Sequence, residues 1–299
     1  MAPQRRLLAD GRLHLNHGPI DLVIEAFGPM DEVTRAYDQA WARFPDILPT
    51  LTGELTLLRR QMQGLRPKLS GPVARRMAAA VWPYRARFIT PMAAVAGAVA
   101  DEMLAALIEG RALRKAYVND GGDIALYLIP GERFTAGIVG DLSAPAIDGR
   151  AKITADSAVR GIATSGQGGR SFSLGIADAA ATMIANAVNV DDRAVVRQPA
   201  STIDPDSDLG DLPVTVTVGP LGPEAIDRAL DAGEAEARQL THAGLILAAM
   251  LQLREMKRIV TADGNPDSQI SFDDRGNISR GRPAPRPRAS AGRPSGRHS

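Results

Sequence analysis

The sequence predicts an α+β fold, mixed sheets flanked by helices over residues 1–262, followed by a disordered basic tail over 263–299. Strand-like and helix-like stretches alternate along most of the chain. Hydrophobic residues make up 44% of 299 and charged residues 23%, ordinary for a globular core built from small aliphatic side chains, since aromatics are only 4%. The last segment changes character: from Arg275 onward there are seven arginines, no acidic residue and many glycines and prolines.

Taken in order, Leu13–Leu15 and Ile20–Ala26 flank "NHGP" and read as a β-hairpin. Met30–Phe44 has Val33, Tyr37, Ala40, Trp41 and Phe44 at helical spacing, with Pro45 and Pro49 as stops. A short helix follows over Glu54–Gln61, then a loop over Gly64–Pro72. Pro83 breaks any helix through Met77–Ile89. Thr90-Pro91 is a helix start, Thr as cap and Pro in the first turn, and Gly110 closes that helix after Glu109. Strands are expected at Ala116–Val118, Ile124–Ile129, Thr135–Val139, Ala151–Thr154, Gly161–Ser165, Ser171–Leu174 and Val214–Val218. Helices are expected at Asp178–Val190 and Pro223–Arg238. Ala243–Arg254 is apolar throughout, and periodicity leaves buried helix and core strand open.

Charge and composition narrow the function. There is no cysteine, which excludes disulfides, thiolate metal sites and a cysteine nucleophile. Without the arginine tail the formal charge of +1 becomes −6, the wrong sign for a nucleic-acid groove. The N-terminus lacks an apolar signal region, and Asp101 and Glu102 interrupt the longest apolar stretch, Pro91–Ile108. The expectation is a cytoplasmic protein with neither nucleic acid nor membrane as partner.

Four stretches could carry chemistry. "NDGGDI", Asn119–Ile124, has paired glycines that let a ligand touch the main chain, and equally suits a tight hairpin turn. "GIATSGQGGRS" offers bare N–H groups, the hydroxyls of Thr164, Ser165 and Ser171, and Arg170 for a phosphate. It is neither a Walker motif nor a dinucleotide fingerprint, and a flexible hairpin loop reads it as well. Asp178 and Thr182, four apart, could present a carboxylate and a hydroxyl on one helical face to a hard cation such as Mg²⁺, or Asp178 could simply cap. "DPDSDLGD", Asp204–Asp211, begins like a calcium loop but has Leu209 and Thr215 where glycine and glutamate are required, and reads as a solvated acidic loop. The four histidines are scattered without ligand spacing.

In this order, "YVNDGGDIALYL", "RGIATSGQGGRSFS" and "DAAATMIANAV" resemble the FAD:protein FMN transferase (ApbE-like) superfamily, and are most similar to its uncharacterised cytoplasmic branch. The similarity extends through "RLHLNHGPIDLVIEA", "TPMAAVAGAVADEML" and "DPDSDLGDLPVTVTVGPL". It implies an ApbE-like, T-fold-like fold, FAD or another flavin nucleotide as ligand, Mg²⁺, and transfer of FMN to a threonine of an acceptor protein. On the matching positions it implies nucleotide contacts at Asn119, Gly121, Gly122, Asp123, Thr164, Ser165 and Gly166, and metal ligation at Asp178 and Thr182; Arg170 joins the nucleotide site as a phosphate partner. No catalytic residue is assigned.

Three departures accompany the resemblance. Ala96 and Ala98 stand where the transferases have a lysine and a tyrosine, although Gly97 and Asp101 remain. Gly175 stands where they have a histidine. A strand-forming segment usual between "SFSLGIAD" and "ADAAAT" is missing, so Asp178 reads either as the last residue of the first motif or as the first matching residue of the second. A sheet short of a strand exposes backbone groups or shifts its pairing. The alternative function is a non-catalytic binding or assembly protein in sulfur- or thiamine-related metabolism, where some ApbE-like relatives are found.

Overall fold

The computed structural model describes residues 2–138, 149–166, 172–177, 182–262 and 270–274. Strands β1 (Gln4–Leu7), β2 (Leu13–His17) and β3 (Ile20–Phe27) open an antiparallel sheet. Strict alternation turns Leu13, Leu15, Ile20, Leu22, Ile24 and Ala26 into the core. β1 was not anticipated: "QRRL" is exposed at every position and shows no alternation to read.

Helix α1 (Met30–Arg43) buries Ala36, Tyr37 and Ala40. Pro45 ends it in a 3-10 turn, Phe44–Asp46. Pro49 stops nothing, because it falls in the first turn of α2 (Ile47–Gly53), where its missing N–H would have had no helical partner. The expected helix at Glu54–Gln61 shortens to α3 (Leu55–Leu58). After the loop comes α4 (Pro72–Val81), and Pro83 lies in a 3-10 turn, Trp82–Tyr84. Pro91–Ala94 is also 3-10, and the helix proper, α5 (Val95–Ile108), gives way to Gly110 at φ 65°. Pro91–Ile108 is apolar enough by composition to cross a membrane, yet α5 packs on α1 and α4, and Glu102 on it bonds Arg43 at 3.0 Å.

Strands β4 (Lys115–Asp120), β5 (Asp123–Leu128), β6 (Arg133–Ile138), β7 (Gly149–Thr154) and β8 (Gly161–Ile162) follow. The main sheet has the order β1-β2-β3-β4-β5-β8, and α5 lies against β4 and β5. A second cluster, Leu126, Leu128 and Ile153 with Tyr117 and Phe134 around it, joins β5 to the β6–β7 sheet.

The remainder comprises α6 (Thr182–Ala187), β9 (Val195–Pro199), α7 (Ala200–Ile203), β10 (Pro213–Val218), α8 (Pro223–His242), β11 (Ala248–Leu253), β12 (Met256–Thr261) and β13 (Ile270–Asp274). Within Ala243–Arg254 the open choice resolves as strand: β11 pairs antiparallel with β12 through a two-residue turn, and α8 covers the pair. Gly244 at φ 68° separates the strand from α8. Gly233 of α8 lets Val188 and Leu251 approach, since a Cβ there would lie 2.6 Å from Leu251 Cδ2.

Three expectations need correction. The helix read over Asp178–Val190 ends at Ala187 among the described residues, because Val188 turns its carbonyl to the Ile176 N–H at 2.8 Å. Phe172–Leu174 is irregular rather than a strand; Ser171 lies outside the described residues. The tail expected to be disordered contributes β13, which pairs with β7 from Ile270↔Ile153 to Asp274↔Gly149. Ladder hydrogen bonds need only backbone, so the polar composition of that stretch did not forbid a strand. The rest of 263–299 lies outside the described residues. The molecule is α+β, with several antiparallel sheets and flanking helices.

Candidate functional site

The β4–β5 hairpin turns on two residues, Gly121 at φ 62° and Gly122 at φ 107°. Both need the left-handed region, so both reasons for a glycine pair hold here: the tight turn requires them, and the main chain is left bare. Asn119 Oδ1 accepts the Gly122 N–H at 2.9 Å and fixes the turn from within.

Asp123, the first residue after the turn, reaches two other segments. Its Oδ1 accepts the Thr164 N–H at 3.0 Å. The carboxylate also lies against Gly97, in the first turn of α5, where a Cβ would be 3.5 Å from Oδ2. A carboxylate beside the first turn of a helix is favoured by the helix dipole. Burial nevertheless pushes the Asp123 carboxyl above its ordinary value, with the backbone N–H groups of Thr164 and Gly97 opposing the shift.

These segments lie side by side with room for no more than a methyl group. A Cβ on Gly97 would lie 3.5 Å from Asp123 Oδ2, and one on Gly122 3.5 Å from Thr164 Cβ. On the other side, β8 pairs Gly161 with Ala125 and Ile162 with Ile124, so the glycine-loop stretch leaves the sheet beside the hairpin turn. Thr164 is exposed there, Ser165 half-buried and Gly166 buried. Asn119, Gly121, Gly122, Asp123 and Thr164 are therefore brought together, with Gly97 as a member. Arg170 lies outside the described residues.

Of the two residues expected to hold a metal, Asp178 lies outside the described residues. Thr182 opens α6, and its side chain is not among those described. Among the described residues no group of three His, Asp or Glu side chains is placed to hold a cation. Asp101, retained from the family pattern, lies 4.0 Å from Arg76. Ala98, where the transferases have an aromatic, is 4% exposed and faces the core. The donor set present, a carboxylate, an amide, a hydroxyl and glycine backbone, fits the polar edges of a nucleotide and leaves out the stacking surface.

The described residues before the junction are held by hydrogen bonds to β10, α6 and the turn after α6. Thr215 N donates to Ser173 O at 2.8 Å, beside a bulge in β10 between Thr215 and Thr217. Leu174 N donates to Asn186 Oδ1 at 3.0 Å, and Asn189 Nδ2 donates to Leu174 O at 3.2 Å.

One contact escaped the sequence reading. Thr90 occupies the cap position as expected, but its hydroxyl, 2% exposed, donates to the Asp208 carboxylate rather than capping the helix. Asp208 belongs to the stretch read as a solvated acidic loop, and that reading fails at this residue because the carboxylate is drawn onto a buried hydroxyl. The contact spans 118 positions, and neither motif hints at the other.

None of the curated proteins compared matches the chain. A family model described as "AbpE bacteria" matches residues 5–264, covering all the segments assembled above, and the chain belongs to that family.

Proposed function

We propose that this protein binds a flavin nucleotide, FAD or a related phosphorylated ligand, where the hairpin turn, the Thr164 loop and the first turn of α5 converge. The observation that carries the reading is the Asp123 carboxylate, which accepts the Thr164 N–H and lies against Gly97, so that three segments far apart in sequence meet. The open backbone at Gly122 and Gly97 supports close approach of a flat or phosphorylated ligand. Asp123 is in this reading a positioning residue, and Thr164 and Asn119 supply polar contacts to the ligand. The proposed setting is cytoplasmic.

Transfer of FMN to an acceptor protein would extend this activity. A magnesium ion, were it held by Asp178 and Thr182, would supply charge neutralisation at the departing phosphate. A second reading, binding or assembly without catalysis, is favoured by Ala98 lying in the core and by alanine at position 96, which remove an aromatic surface and a cation. Purified full-length protein should retain or take up FAD, read from flavin absorbance and fluorescence titration. Release of AMP from FAD with Mg²⁺ would establish the transfer chemistry, and bound flavin without cleavage would favour the second reading. If neither binding nor cleavage occurs, the flavin assignment is wrong.

A further inference from the structure

Between Glu54 and Asp101 the chain carries eight basic residues and no acidic one. Four are engaged: Arg76 faces Asp101 and Glu102, Arg87 bonds Glu236 at 2.7 Å, Arg75 donates to Ser70 O, and Arg85 donates to Trp82 O at 3.0 Å. The other four, Arg59, Arg60, Arg66 and Lys68, are exposed and pair with no carboxylate among the described residues. Glu54, the acid preceding them, is turned onto the Ser70 and Gly71 N–H groups at 2.6 and 2.9 Å.

Two contacts bring the loop after α3 and the segment around Trp82 together. Met62 N donates to Ile89 O at 2.8 Å, laying the loop after α3 beside the segment after Trp82. The Trp82 ring carries the Arg66 guanidinium at 5.2 Å and that of Arg85 at 4.6 Å. Met62 and Leu69 are buried and anchor the loop at both ends. Between them Gly64, at φ 62°, reverses the chain with nothing within 4 Å of its Cβ position, and Leu65 beyond it is 92% exposed.

We propose that this projecting loop is a peripheral docking surface for an anionic phospholipid bilayer, with Leu65 entering the acyl boundary and the cations meeting headgroup phosphates. The shape decides among polyanions. Peptides dock in grooves or on sheet edges, and single-stranded nucleic acid stacks on open aromatic faces; here the loop projects and the tryptophan already carries guanidinium groups. A plane suits an apolar tip ringed by cations. The expectation of no membrane partner rested on the interrupted apolar stretch, whereas a surface contact needs no spanning segment. The inference is independent of the flavin reading.

The test is flotation of the full chain with phosphatidylcholine vesicles with and without phosphatidylserine. Binding should require phosphatidylserine and fall steeply with salt. Each cation near such a surface is worth about fivefold in affinity, so replacing Arg59, Arg60, Arg66 and Lys68 together with serine should lower binding by two orders of magnitude or more. Leu65→Glu alone should weaken it at unchanged melting temperature, and serves as the test if the fourfold variant does not fold. Unchanged binding in both variants would assign any affinity to the arginines beyond residue 275 and overturn the proposal. Failure to bind the anionic vesicles, or tighter capture by an oligonucleotide or acidic polypeptide than by them, would overturn it too.

Discussion

Gly97→Ala probes the candidate site with opposite signs for stability and binding. The added methyl would lie 3.5 Å from Asp123 Oδ2, ordinary van der Waals contact, and Gly97 has no positive φ to forbid it. Alanine is better than glycine inside a helix by roughly 0.5–1 kcal/mol. With a change of about 2–4 °C per kcal/mol for a domain of this size, the melting temperature should rise by about 1–4 °C. The same methyl occupies the approach between helix and carboxylate, so FAD affinity should fall at least tenfold, about 1.4 kcal/mol. Thermal circular dichroism and flavin fluorescence titration read the two effects on one sample. Gly233→Ala is the contrast: its Cβ would meet Val188 and lie 2.6 Å from Leu251, so it should cost roughly 1–3 kcal/mol. If Gly97→Ala melts several degrees lower, the space is not there. If it melts higher yet binds FAD unchanged, the ligand does not approach along this face.

Three further outcomes follow from the same geometry. The Asp123 carboxyl is raised above 3.8 by burial, so its ionisation opposes folding: the penalty is absent below the unfolded value and grows as pH rises through the folded one. Melting curves against pH should therefore show Asp123→Asn gaining on the parent as pH rises from about 3.5 and then holding a constant offset; a gap that moves the other way refutes it. Thr90→Val leaves Asp208 without its buried donor and should cost about 1–2 kcal/mol, and a double-mutant cycle with Asp208→Ala should show the losses to be shared rather than additive. Truncation after Ala262 removes β13 from β7 and should lower the melting temperature by a few degrees, whereas truncation after Asp274 should leave it unchanged; equal effects would mean the strand adds nothing.

Sequence alone determined the features that are local. The hairpin at residues 13–26 is legible because alternation has a period of two, and α1 because its apolar residues recur at helical spacing. The Gly121-Gly122 turn is legible because only glycine adopts positive φ freely. The motifs "NDGGD" and "GIATSG" were visible as candidates for the same reason, and with them the family. What only the tertiary structure decided is which distant pieces meet. Asp123 accepting the Thr164 N–H, Thr90 donating to Asp208, and β13 pairing with β7 each join segments through one or a few backbone or carboxylate contacts. Such contacts impose no period and little composition on either partner, so neither stretch records the other. The same holds for Ala243–Arg254, where the apolar stretch Leu245–Leu251 satisfies helix and strand alike until β12 offers its edge.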